Sequence, residues 1–282
     1  MVEKQIEVEG LPVHYLEGGE DNGRALLLLH GGIGGARANW VEVLPSLAEK
    51  YHVFAPDLPG YGETAPLLEM TLDKLVHWLR ALLDALGQTD AVVVGASVGG
   101  LLARLFAAAE PQYVPAIILV DGGVLPRIPG YLSAIARLPV IGDPALRMFA
   151  RMTYADYSPD RTIVVREVVT DDLCEAWRAS ARGFEGLMRA LVFYTPSGQP
   201  IPPVPTLLLW GANDPVMPLA LAEHLQGEIP GAVLSPVADC GHMPQLEASD
   251  AFAFQIVSFL EGLSRARHTA MPGVGMLRPD SA

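Results

Sequence analysis

Short apolar runs alternate with helical patterns along most of the chain. Each run is rich in Val, Ile and Leu and is bounded by Gly, Pro or Asp, which is typical of a buried strand. Between the runs, residues 71–86 carry leucines at helical spacing and end at Gly87, and residues 249–263 form another amphipathic pattern. The apolar runs predict strands at residues 25–30, 52–56, 91–96, 116–120, 206–210 and 232–237.

An antiparallel hairpin is predicted ahead of these strands, over residues 3–9 and 12–17, with Glu9 and Gly10 near its turn. The hairpin and the six later strands together give a sheet of eight strands. Strands that alternate with helices form a mostly parallel sheet covered by helices on both faces. The predicted fold class is therefore α/β.

The alternation stops between residues 122 and 203. This segment has helical patterns at residues 131–138, 144–152, 171–182 and 183–192, but no clear strand. Because an insertion of about 80 residues is too long for a structureless loop, we expect a helical cap over the carboxyl ends of the strands. The expected domains are a core of residues 1–121 and 204–263, a cap of residues 122–203, and a disordered tail of residues 264–282.

Composition narrows the class of protein. Half of the 282 residues are hydrophobic and 18% are charged, so the chain can bury a large core. Its 19 basic and 32 acidic residues give a net charge of −13, which argues against nucleic acid as a partner. Cys174 and Cys240 have no metal-binding or redox spacing and are expected to be free thiols.

The amino-terminal residues are charged and lack the features of a signal peptide, and the apolar runs are too short to span a bilayer. We therefore expect a cytoplasmic protein without stable membrane insertion.

The segment Gly95-Ala96-Ser97-Val98-Gly99 lies between a predicted buried strand and a predicted helix. In a G-x-S-x-G strand–turn–helix, the turn is tight and strained and lifts the serine hydroxyl above the sheet edge. The amide of Val98 and the start of the helix would then face a developing negative charge. The alternative, a dinucleotide-binding turn, requires a G-x-G-x-x-G spacing that is not present here. Ser97 is the candidate nucleophile.

The first predicted core strand ends in His30-Gly31-Gly32-Ile33-Gly34-Gly35. In enzymes whose nucleophile lies on such a strand–turn–helix, called a nucleophile elbow, a loop in this position supplies the second backbone donor to the oxyanion. Gly32 is the first candidate donor, and Ile33 is the second. His30, which precedes the glycine pair, is interpreted as a residue that holds the loop rather than a catalytic base.

His242 is the candidate base, because it lies in a loop after the last predicted strand. Asp214 follows the strand at residues 206–210 and is the candidate acid, with Asp121 at the end of the preceding strand as the alternative. The order Ser97, Asp214, His242 is the one expected for a nucleophile-elbow fold. Asp239 is close to His242 in sequence but is interpreted as a surface residue.

These segments, together with Asp57-Leu58-Pro59-Gly60-Tyr61-Gly62, resemble the α/β-hydrolase superfamily over residues 1 to 263. The chain looks most like the bacterial branch with a helical cap, which includes carboxylesterases and meta-cleavage-product C–C hydrolases. This resemblance implies an eight-stranded α/β-hydrolase sheet with an inserted helical cap, and a serine triad that needs no metal and no organic cofactor.

Two departures bear on the substrate. C–C hydrolases often place an aromatic residue after the catalytic histidine, where this chain has Met243, and they use a cap arginine to hold an acid group. Arg178 and Arg182 lie on a predicted cap helix, but a solvated helix face explains them as well. Ile33, Phe149, Met152 and Met243 are the candidate substrate contacts. They are expected to form an apolar pocket.

The predicted reaction is hydrolysis of an apolar carboxylic ester through an acyl-enzyme. A related carbonyl compound is the other expected small-molecule substrate, and a homodimer is possible. Three alternatives keep the same triad: a C–C bond hydrolase, a lyase and a cofactor-free perhydrolase. A fourth belongs to another class, a ligand-binding receptor that turns over slowly.

Overall fold

The computed structural model describes residues 1–126, 128–195 and 204–270. Its centre is an eight-stranded sheet in the order β1-β2-β4-β3-β5-β6-β7-β8. β1 and β2 pair antiparallel, as do β2 and β4, and all later pairs are parallel. The strands are β1 (Val2–Val8), β2 (Leu11–Gly18), β3 (Ala25–Leu29), β4 (His52–Pro56), β5 (Val92–Ala96), β6 (Ile117–Val120), β7 (Thr206–Gly211) and β8 (Val233–Val237).

Helices connect the strands and cover the sheet. The predicted helix at residues 71–86 is α3, whose first turn is capped because Thr71 Oγ1 accepts the amide of Lys74. The helices are α1 (Ala36–Trp40), α2 (Leu44–Ala48), α3 (Leu72–Ala85), α4 (Val98–Ala109), α5 (Gly130–Ala136), α6 (Gly142–Asp156), α7 (Pro159–Thr162), α8 (Asp171–Ala179), α9 (Ala181–Phe193), α10 (Leu219–Glu228), α11 (Pro244–Glu247) and α12 (Ser249–Ala270).

The central strands β3, β5, β6 and β7 are buried on both faces, which explains their continuous apolar runs. In β3, Leu27 and Leu29 point into the core under α3 and α4, whereas Leu26 and Leu28 point into the core under α1, α2 and α12. Alternate side chains of one strand thus enter opposite cores, as the pleat requires. This confirms the predicted α/β class with helices on both sides of a mostly parallel sheet.

The residues between β6 and β7, which we call the insert, contain α5 to α9 and no strand among those that the structure describes. α6 packs on α9, and α5 and α8 contact the same helix. Leu146, Trp177 and Phe184 belong to a third buried cluster, which also includes Ile33 and Met243 from the core. The insert is therefore packed onto the loops that follow the strands.

The carboxyl-terminal helix is longer than predicted. The sequence places its end at residue 263, whereas α12 continues to Ala270. The hydroxyl of Ser264 donates to the carbonyl of Leu260 and accepts from Arg24, so the chain stays helical and attached to the core. Residues 264–270 of the predicted tail thus lie in α12. The remainder of that tail lies outside the described residues. None of the described helices is long and apolar enough to cross a membrane.

Candidate active site

Ser97 occupies the sharp turn between β5 and α4. Its φ of 52° lies in the left-handed region, which is strained for a residue with a side chain. The amide of Ser97 donates to the carbonyl of Val120 at 2.8 Å, so β6 holds the turn. A Cβ atom on Gly95 would lie 2.2 Å from the carbonyl oxygen of Gly99. The turn can therefore form only with glycine at that position.

The loop after β6 packs against the same turn. A Cβ atom on Gly122 would lie 2.0 Å from the carbonyl oxygen of Ser97. Asp121, just before it, has a φ of 44°. Nothing near Gly122 in the chain indicates that it faces Ser97, so its role could not be predicted from the sequence.

His242 and Asp214 form a close pair. The Nδ1 atom of His242 donates to Oδ2 of Asp214 at 2.7 Å, and the Asp214 side chain is fully buried. The other carboxylate oxygen, Oδ1, accepts the amides of Val216 and Met217 at 2.7 and 2.9 Å. These three hydrogen bonds fix the orientation of the Asp214 side chain. This arrangement leaves Nε2 of His242 free to act as a base.

The loop after β3 is held by several side chains. The amide of Leu58 donates to Nε2 of His30 at 2.9 Å, so Nδ1 carries the proton and donates to the carbonyl of Gly31 at 2.7 Å. Burial lowers the pKa of His30, which keeps it neutral. The hydroxyl of Tyr61 donates to the carbonyl of Gly32 at 3.0 Å.

Ser97 and His242 line one cavity of about 90 Å³, together with Gly32 and Val98. Two of the four predicted substrate contacts, Ile33 and Met243, also line it. The structure thus brings together the predicted nucleophile, base and oxyanion donors at the carboxyl ends of β3, β5 and β8.

The other two predicted contacts, Phe149 and Met152, do not line the cavity. α6 turns Leu146 and Ala150 towards the buried cluster of the insert, and Met152, on its opposite side, is 65% exposed. The structure therefore does not bring these two residues to the cavity that Ser97 lines. The sequence shows an apolar helix but not which of its faces turns inward.

Sequence reasoning missed most of the insert residues that form the cavity wall. Phe184, Leu187, Met188 and Leu191 recur at helical spacing on one side of α9, and Trp177 of α8 lies beside them. That periodicity was the available signal. Arg178 and Arg182 are exposed, and no Lys or Arg lines the cavity among the described residues.

Asp121 lies against the His242–Asp214 pair. Ligand atoms of these three residues lie within 4.8 Å of one another, as metal ligands could. However, Asp214 already accepts three hydrogen bonds, and the pair is at hydrogen-bond distance. Asp121 Oδ1 accepts the amide of Gly211 at 2.8 Å. The imidazole is therefore hydrogen-bonded to Asp214 and not to the alternative acid, Asp121.

The sequence model of the alpha/beta hydrolase family matches residues 26–255. The chain belongs to this family. A 2-hydroxy-6-oxo-6-(2'-aminophenyl)hexa-2,4-dienoic acid hydrolase of Metapseudomonas resinovorans is 28% identical over 271 residues, which cover 92% of this chain and 91% of the relative.

Solved structures agree with this family. A membrane phospholipase A, described as a bacterial virulence factor, superposes with a TM-score of 0.73 at 27% identity, covering 93% of this chain and 86% of the other. A meta-cleavage product hydrolase from Pseudomonas fluorescens IP01 gives a TM-score of 0.67 at 26% identity, covering 92% and 98%. The chain is thus similar to both ester-cleaving and C–C-cleaving hydrolases.

Proposed function

We propose that this protein is a serine hydrolase that cleaves small apolar carboxylic esters through an acyl-enzyme. The observation that carries the proposal is the pairing of His242 with the buried Asp214 at the cavity that Ser97 lines. Hydroxyl, imidazole and carboxylate in this order are the parts of an acyl-transfer site.

In the proposed mechanism, the Ser97 hydroxyl attacks the ester carbonyl while Nε2 of His242 takes its proton. Asp214 holds the imidazole in the required tautomer and stabilises the imidazolium. His242 then protonates the leaving alcohol. In the second half, His242 activates water, which attacks the acyl-enzyme, and Ser97 regains its proton as the acid leaves.

Two backbone amides, those of Val98 and Gly32, are the proposed oxyanion donors. Val98 is the first residue of α4, so no intrahelical bond uses its N–H. The Gly31 carbonyl bonds to His30, and a trans peptide points the N–H of Gly32 the opposite way. Loss of one such donor typically costs about 2.7–4 kcal/mol of transition-state stabilisation.

The cavity wall favours an apolar ester over the acid-bearing substrate of a C–C hydrolase. Trp177, Phe184 and Leu187 offer apolar surface, and no cation among the described lining residues could pair with a carboxylate. A volume of about 90 Å³ suits a short acyl chain. C–C bond hydrolysis is the second candidate, because the hexadienoic acid hydrolase relative covers almost the whole chain.

The test is labelling with a fluorophosphonate followed by peptide mapping. We expect one modified residue, Ser97, and no labelling of the Ser97→Ala variant. Labelling at another residue, or none in the wild type, would contradict the proposal. A panel of p-nitrophenyl esters of increasing chain length, run beside a vinylogous diketone acid, then separates ester from C–C cleavage.

A further inference from the structure

The carboxylate of Glu247 binds the backbone on both sides of His242. Its Oε2 atom accepts the amide of Gly241 at 3.0 Å, and its Oε1 atom accepts the amide of Met243 at 3.1 Å. Glu247 ends the short helix α11, which begins directly after Met243. The side chain therefore closes a small ring of hydrogen bonds around the loop that carries the imidazole.

The same carboxylate reaches into the insert. Oε2 also accepts the amides of Val164 and Val165, at 2.8 and 3.0 Å. Next to them, the carbonyl of Thr162 accepts the amide of His242 at 2.9 Å, and Thr162 itself lines the cavity. Residues 162–165, which we call the strap, are thus fastened to the His242 loop.

The packing at this junction leaves no room for a side chain at Gly241. A Cβ atom on Gly241 would lie 2.7 Å from the Thr162 carbonyl oxygen and 3.0 Å from both Glu247 Oε1 and Val164 Cγ2. Glu247 therefore lies where the strap, the His242 loop and α11 meet. Hydrogen bonds to an ionised acceptor are the stronger kind, so four of them at one carboxylate can fix this backbone.

We infer that Glu247 is a positioning residue for His242. The Glu247 carboxylate ties the His242 loop to the strap and so holds the imidazole in register with Asp214. This inference rests on the proposed function for its kinetic consequence, but the geometry it describes does not depend on the substrate. It also links the insert to the base. A displacement of the strap removes bonds that hold the backbone of His242.

The test compares Glu247→Gln with Glu261→Gln. The amide of Glu247→Gln keeps the size of the side chain but presents N–H₂ where Met243 donates, and it removes the charge. Glu261→Gln removes the same charge from α12, where Glu261 pairs with Lys50 at 2.6 Å. Glu247→Ala, which removes all four bonds, serves as the stronger variant.

We expect Glu247→Gln to lower kcat by about tenfold or more with little change in KM, since a catalytic group displaced by about 1 Å can lose about a hundredfold in rate. Glu261→Gln should match the wild type. If Glu247 served stability alone, Glu247→Gln would lower the melting temperature but leave kcat unchanged at a temperature where both variants are folded. That result would overturn the inference.

A second readout needs no substrate. The proton between His242 Nδ1 and Asp214 should give a downfield ¹H NMR signal in the wild type, absent from Asp214→Asn. It should broaden or disappear in Glu247→Gln and remain in Glu261→Gln. An unchanged signal in Glu247→Gln would overturn the inference even in a protein that hydrolyses no ester. Missing Ser97 labelling, in contrast, would contradict only the proposed function.

Discussion

The carboxyl group of Asp121 lies against the carboxylate of Asp214, with an oxygen of each group within 4.8 Å of the other. When Asp121 and Asp214 are both ionised, the buried Oδ2 atom of Asp121 has no donor within hydrogen-bond distance. Burial, and then the charge of Asp214, raise the pKa of Asp121 well above its usual value of 3.8. Asp214 accepts three hydrogen bonds and Asp121 accepts one, so we expect a protonated Asp121 that donates to Asp214.

Asp121→Asn should therefore preserve activity within about tenfold, because the amide is isosteric with a protonated acid and can donate the same hydrogen bond. Esterase assays on the purified variant test this. A loss as large as that caused by Asp214→Asn would mean that Asp121 acts as an anion.

The pH dependence of stability gives a separate prediction for the same residue. In the folded chain Asp121 keeps its proton above pH 3.8, whereas in the unfolded chain it ionises. The folded state then binds more protons, so this contribution to the free energy of unfolding falls as pH rises above that value. Urea unfolding at about pH 5 and about pH 7 should show the Asp121→Asn variant gaining stability relative to the wild type at the higher pH.

Asp214→Asn should lower kcat by about 10⁴, because the amide favours the wrong imidazole tautomer. The fold should survive, since the amide oxygen can still accept the amides of Val216 and Met217. Circular dichroism and steady-state kinetics on the same preparation measure both effects. Near wild-type activity in a folded variant would exclude Asp214 as the acid.

Gly99→Ala should destabilise the protein by about 3 kcal/mol. The new Cβ atom would lie 2.4 Å from the carbonyl oxygen of Leu29 and 2.6 Å from that of His30, and neither backbone can move without disturbing β3. Gly262→Ala is the matched control, because it lies in α12 with open space around it and should stabilise by about 0.5–1 kcal/mol. Thermal and urea unfolding compare the two variants.

Cys240 should not react with thiol reagents in the folded protein. Burial raises the pKa of its thiol to about 12, so the reactive thiolate is scarce at neutral pH. Cys174 is less buried and serves as the internal reference. Iodoacetamide followed by mass spectrometry should modify Cys174 first and Cys240 only after unfolding. Equal labelling of both thiols would refute the prediction.

Phe184→Leu should raise kcat/KM for esters with bulkier acyl groups, because Phe184 lies over Gly32 and narrows the cavity. Met152→Leu should leave the chain-length preference unchanged, since Met152 is exposed to solvent. The ratio of kcat/KM for long and short p-nitrophenyl esters measures this preference. A shift in the Met152 variant, with none in the Phe184 variant, would place the substrate elsewhere.

Much of the fold could be predicted because its signals are local. The buried runs at residues 25–30 and 91–96 became β3 and β5, and the capping residue Thr71 marks the start of α3. The end of α12 was harder to predict from the sequence, because Ser264 is held partly by Arg24, which is 240 residues away. Contacts between residues so far apart in the chain produce no periodic pattern in the sequence.

The sequence by itself determined the strained turn at Ser97 and the chain order of serine, acid and histidine, because glycine spacing and strand patterns act between neighbouring residues. Only the tertiary structure decided that His242 is hydrogen-bonded to Asp214 and not to Asp121, and that α9 rather than α6 lines the cavity. It alone also brought Glu247 between the strap and the His242 loop. These choices depend on how the strand ends and the insert meet in space, which no local pattern encodes.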